Sequence, residues 1–171
     1  MYYPNLEEIK SYVGKGNLVP IYKSINADLE TPVSAFLKVA SASYCYLLES
    51  VSGGERLGRY SFIGTDPYKV IKTGKGQAYG EVDALTLVQE EMNQFKLVAV
   101  PGLPKFHGGG VGYLAYDSIR YFEPRVPPMP ADPQGLPESV FMFSDTLLVF
   151  DHVSHDIKVV SHVHLDEDID A

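Results

Sequence analysis

Short β-prone runs punctuated by turn-forming residues dominate this chain, and they limit its fold more than any other feature. Leu18 to Ile25, Tyr44 to Ser50, Arg59 to Thr65, Lys69 to Thr73, Gln77 to Glu81, Tyr113 to Tyr116, Val140 to Phe150 and Ile157 to Val163 all read as strands. Strands that follow one another through short turns pair antiparallel, because a parallel crossover needs a dozen or more residues. Gly74-Lys75-Gly76 predicts a tight hairpin from Lys69 to Glu81, and Asp151 to Asp156 predicts another between the last two runs. Helical spacing is confined to a few segments. Tyr3 to Tyr12 has Asn5 as N-cap, Glu7 and Glu8 in its first turn and Gly14 beyond its end. Thr31-Pro32 starts a second helix with Val33, Phe36, Leu37 and Ala40 on one face, and Asp83 starts a third with Leu85, Leu87, Val88, Met92 and Phe95. The expected fold is therefore α+β: largely antiparallel β-sheet with a few amphipathic helices packed on it.

A length of 171 residues with 45% hydrophobic content supports one core. We assign residues 1–165 to a single domain and 166–171 to an acidic tail or linker, since Asp166-Glu167-Asp168-Ile169-Asp170-Ala171 has almost nothing to bury. The net charge of −8, with no Lys/Arg cluster, argues against nucleic acid as a partner. The first residues, MYYPNLEEIK, place acids where a signal peptide needs basic and apolar regions, and no apolar run reaches the length of a membrane span. A cytoplasmic protein without a membrane partner is the expectation. The sole cysteine, Cys45, lies in an apolar run and reads as a structural thiol.

A self-sufficient catalytic centre is hard to find. His162 and His164 share a strand face, but no third metal ligand accompanies them, and exposed polar residues explain them more simply. Gly108, Gly109, Gly110 and Gly112 match no phosphate-binding motif; they read as positions of positive φ or close backbone approach. Asp117 and Glu123 read as capping or surface carboxylates rather than an acid/base pair.

Two segments rise above this background. One is Leu47-Leu48-Glu49-Ser50, followed by Arg59-Tyr60-Ser61-Phe62-Ile63-Gly64. The other is Gly109-Gly110-Val111-Gly112-Tyr113-Leu114-Ala115-Tyr116-Asp117. Together, in this order and spacing, they resemble the N-terminal region of the chorismate-utilising enzymes, and specifically of anthranilate synthase component I, over nearly the whole chain.

That resemblance implies a lyase of tryptophan biosynthesis that converts chorismate, with ammonia or glutamine, into anthranilate and pyruvate. Mg²⁺ is the implied cofactor of the full-length enzyme, and a glutamine amidotransferase, component II, the implied partner subunit. In the family the chorismate and magnesium sites belong to a later C-terminal catalytic domain. The chain then reads as a fragment, inactive alone, with no catalytic or metal residue of its own. The resemblance further assigns Leu48, Glu49, Ser50 and Arg59 to one half of an allosteric feedback-inhibition site for L-tryptophan. A zwitterionic ligand needs an acceptor for its ammonium, donors for its carboxylate and an apolar slot for its ring, and these residues suit the first two needs. Without the resemblance, Glu49-Ser50 is a strand terminus and Arg59 pairs with a surface acid. The related aminodeoxychorismate synthase, or a free-standing amino-acid-binding or protein-interaction module, are the alternatives.

Overall fold

The computed structural model describes residues 1–41, 43–50, 58–123, 125–127 and 134–165. The acidic tail, most of the turn after Ser50 and much of the Pro-rich stretch therefore lie outside the described residues. The chain divides into two compact units, one of Met1–Pro67, Phe95–Gly109 and Ser144–Ala171, the other of Tyr68–Gln94 and Gly110–Phe143. The fold is α+β, as expected.

The first unit is built on a five-stranded sheet in the order β1-β8-β7-β3-β2. Its strands are β1 (Leu18–Asn26), β2 (Cys45–Leu48), β3 (Tyr60–Thr65), β7 (Leu147–Asp151) and β8 (Asp156–His164), and every neighbouring pair is antiparallel. Helix α1 (Leu6–Lys10) starts at Asn5 with a reciprocal capping box to Glu8. Helix α2 (Pro32–Val39) starts at Thr31 with a similar exchange involving Ser34. One sheet face packs Ile63, Phe150 and Ile157 against Ala35, Phe36 and Val39 of α2. The other packs Leu147, Val149 and Val160 against Tyr60, Phe62, Leu103 and Phe106. The packing face of α2 corrects the expected one: Val33 and Leu37 are exposed, and Ala35 is buried instead. An eight-residue helix that is apolar on two sides has no unique stripe, so the sheet decides which side is covered.

In the second unit a three-stranded sheet runs β4-β6-β5, with β4 (Lys69–Thr73), β5 (Gly109–Leu114) and β6 (Ser139–Ser144). Helix α3 (Ala84–Met92) starts at Asp83, whose carboxylate accepts the Leu85 N–H at 2.9 Å, and turns Ala84, Leu87, Val88 and Glu91 inward. Leu85 and Met92, expected on that face, are exposed. The expected hairpin over Lys69 to Glu81 does not form. Gly74 and Gly76 do adopt positive φ, but β4 pairs with β6, and residues 77–81 form turns leading to α3. The run Val140 to Phe150 is likewise two strands, β6 and β7, one in each sheet; Asp145 and Thr146 interrupt it. Gly112 earns its place by close approach: a Cβ there would stand 1.9 Å from the Val140 carbonyl oxygen.

Candidate functional site

The β2–β3 pair sets Leu48 opposite Phe62 and Tyr46 opposite Gly64. The alternation in Tyr60-Ser61-Phe62-Ile63-Gly64 then has a reason at each position. Ser61 and Ile63 face inward, at 0% and 1% exposure. Gly64 is covered by the Tyr46 ring, which a Cβ would meet at 2.3 Å. Tyr60 and Phe62 face the opposite way, where Phe62 meets Phe106 edge to face with centroids 5.1 Å apart.

That outward face is the floor of a cavity of about 530 Å³ lined by Leu47, Leu48, Glu49, Ser50, Arg59, Tyr60, Phe62 and Phe106. All four residues expected in a site, Leu48, Glu49, Ser50 and Arg59, thus line one cavity. Leu48 ends β2, Glu49 and Ser50 follow it exposed, and Arg59 immediately precedes β3. The volume and the mix of aromatic floor and charged rim suit a small molecule with an apolar body and ionic ends.

Arg59 does pair with an acid, though not one on the surface. Its Nε and Nη2 donate to the two carboxylate oxygens of Asp151 at 3.0 and 2.7 Å. The Asp151 side chain is 4% exposed against 42% for Arg59. Asp151 also accepts the backbone N–H groups of Val153 and Ser154 at 3.1 and 3.4 Å. Burial pushes its carboxyl up, but these donors outweigh burial and hold it at about 2. The Arg59 guanidinium lies 4.9 Å from the Tyr60 ring centroid, and the Arg59 carbonyl accepts the His152 N–H at 2.8 Å. His152 Nε2 in turn lies 2.8 Å from Ser61 Oγ.

The histidines expected to share a strand face do so with different partners. His162 Nδ1 donates to the Asp145 carbonyl at 2.9 Å, since that oxygen has no proton to give. In the neutral pair its Nε2 is then an acceptor, and His107 Nδ1, 3.4 Å away, is the donor. Burial lowers the pKa of both, and each also feels a neighbouring imidazole, His162 acting on His107 and His164 on His162. Among the described residues no group of three or more His, Cys, Asp or Glu can hold a metal ion. The buried carboxylates Asp151, Glu91 and Glu138 are each held by a Lys or Arg, which is a poor setting for Mg²⁺.

The model of the chorismate binding enzyme family matches residues 43–171. This chain belongs to that family. Anthranilate synthase component 1 of Acetivibrio thermocellus is 39% identical to it over 180 aligned positions, covering 99% of this chain and 36% of that protein. The probable anthranilate synthase component 1 of Schizosaccharomyces pombe is 42% identical over 164 positions, covering 94% and 32%. Anthranilate synthase component 1 of Saccharomyces cerevisiae is 39% identical over 157 positions, covering 88% and 31%. The chain spans about a third of the length of these curated relatives. Among its described residues no helix is long and apolar enough to cross a membrane.

The residues of this cavity differ in how plainly the sequence marks them. Tyr60 and Phe62 stand inside the family-like motif, and their same-face spacing on a strand was available. Phe106, which lines the cavity, and Asp151, which holds Arg59 from behind it, carry no local signal, because each takes its place only through tertiary packing.

Proposed function

We propose that this chain is the N-terminal, regulatory part of an anthranilate synthase large subunit and that its cavity receives L-tryptophan as a feedback inhibitor. The observation that carries the reading is the gathering of Leu48, Glu49, Ser50 and Arg59 around one aromatic-floored cavity. Glu49 accepts the ligand ammonium, Arg59 and Ser50 donate to its carboxylate, and Tyr60, Phe62 and Phe106 offer the indole an apolar surface. The names of the relatives, anthranilate synthase component 1, support an anthranilate synthase activity for the whole protein, which we take to be the formation of anthranilate and pyruvate from chorismate with ammonia or glutamine, in the cytoplasm. A glutamine amidotransferase subunit is the proposed partner. The chorismate site and any Mg²⁺ are assigned to residues beyond this chain, and no step of the chemistry is routed through its carboxylates.

Tryptophan inhibits by binding one arrangement of the full-length enzyme better than another, with coupling on the order of 1 to 3 kcal/mol. Filling the cavity removes that difference. Ser50→Phe in the full-length protein, still forming anthranilate without tryptophan, is expected to move half-inhibition to a much higher tryptophan concentration. An unchanged inhibition curve in the folded variant rejects the cavity as the effector site. The 171-residue chain alone is expected to form no anthranilate, which its fluorescence would reveal.

A further inference from the structure

A guanidinium has two edges that fit a carboxylate, a side edge of Nε and Nη2 and an end edge of Nη1 and Nη2. In Arg59 the side edge is taken by Asp151, through bonds of 3.0 and 2.7 Å. One face of the group rests over Tyr60. Asp151 is itself immobilised, by the Val153 and Ser154 N–H groups and by its place opposite Tyr60 in the β3–β7 ladder. The end edge keeps Nη1 and the second Nη2 proton outside that fork, on a side chain that lines the cavity and keeps 42% of its surface exposed.

We infer that Asp151 is a positioning residue of the effector site: it holds Arg59 by the side edge so that the end edge meets the carboxylate of a bound amino acid. The inference rests on the reading of the cavity as an amino-acid site. Asp151 touches no ligand in this scheme. An unanchored arginine loses rotamer freedom when it binds a carboxylate, and Asp151 has already removed most of that freedom in the empty site. Recognition of the carboxylate, rather than of the ring, is what Asp151 controls. The cavity should therefore prefer α-amino acids to the corresponding amines by a margin that Asp151 sets.

The test uses the full-length polypeptide and calorimetric binding of two probes, L-tryptophan and tryptamine, which differ only by the carboxylate. Asp151→Asn is expected to weaken tryptophan at least about tenfold and leave tryptamine at its wild-type affinity. Arg59→Ala should do the same, and the double variant should lose no more than Arg59→Ala alone, because Asp151 acts through Arg59. Arg59→Lys, which keeps the charge without the planar fork, should also lose the preference and serves if Asp151→Asn does not fold. A general loss of structure would weaken both probes together. If Asp151→Asn or Arg59→Lys retains the wild-type preference while Arg59→Ala abolishes it, the positioning role is overturned and the amino-acid site stands. If Arg59→Ala also retains it, Arg59 does not hold the ligand carboxylate, and the assignment of that residue in the proposed site falls as well.

Discussion

Each unit contains an arginine that stacks on the tyrosine next to it and grips a buried acid, yet the two are finished differently. Arg59 lies 4.9 Å from the Tyr60 ring and holds Asp151; Arg120, in the short 3₁₀ helix Tyr116–Tyr121, lies 4.8 Å from the Tyr121 ring and holds Glu138. Both acids are nearly inaccessible, at 4% and 6%. Arg120 is 19% exposed, has Glu81 3.6 Å away, and donates to the Tyr121 hydroxyl, which itself donates to Glu138 at 2.8 Å. Arg59 is twice as exposed and opens on a cavity. One local pattern thus serves as a lock in one unit and as a presented cation in the other. What separates them is the surroundings of the end edge, which no stretch of sequence displays.

Removing the acid from the lock should cost the most stability. Glu138→Ala removes the main partner of a mostly buried Arg120 and should cost about 3 kcal/mol in urea unfolding, the low end for a broken buried pair because Arg120 retains some exposure and has Glu81 nearby. Tryptophan affinity should not follow it. A stability loss under 1 kcal/mol would show that Arg120 is no lock.

Acid provides the next largest effect, and it acts on the Arg59 side. The Asp151 carboxyl is depressed from 3.8 to about 2, so its contribution is complete above 3.8 and lost as pH falls through about 2. A shift of that size corresponds to on the order of 2 kcal/mol. Comparing acid unfolding of the wild type with Asp151→Asn checks it: the two curves should converge at low pH. Parallel curves across that window would show that the pair adds nothing. The histidines act at milder pH. His107 and His162 have lowered pKa values, so neutral His stabilises the fold above the ordinary value near 6.5 and that stability falls as pH drops below it. His162→Gln should flatten the decline seen between neutral and mildly acidic pH.

Tyr121→Phe removes a hydroxyl that bonds both Glu138 and Arg120 and should cost about 1 kcal/mol by thermal melting while leaving tryptophan binding alone. A variant as stable as wild type would place the lock in the ion pair alone.

Much of the scaffold was readable where its cause was local. Asn5, Thr31 and Asp83 announced the helix starts because a capping side chain bonds within its own turn. The β7–β8 hairpin was visible because a short turn joins antiparallel strands, and β2 and β3 lie on two β-prone runs that follow one another in the sequence. Where partners are remote, reading failed. Gly74 and Gly76 do turn the chain, but β4 finds its partner at β6, more than sixty residues on, rather than across the turn. Asp145 and Thr146 were too slight an interruption to show that β6 and β7 enter different sheets. Around the cavity, Leu48, Glu49, Ser50 and Arg59 stand in or beside the motif, whereas Phe106 and Asp151 depend on packing that only the fold assembles.

The pairing of β1 with β8 also bears on the order in which the molecule is made. Leu18 lies opposite His164, so the first strand of this sheet to be synthesised is matched to the last. At 5 to 20 residues per second, roughly 7 to 30 seconds of synthesis separate the two. During that interval β1, with the otherwise buried Val19, lacks its β8 ladder and has, among the described residues, only isolated bridges, from Tyr22 to Tyr3 and from Leu18 to Leu97. The five-stranded sheet therefore closes late, and the nascent chain presents a ready substrate for a holding chaperone until residue 164 has emerged.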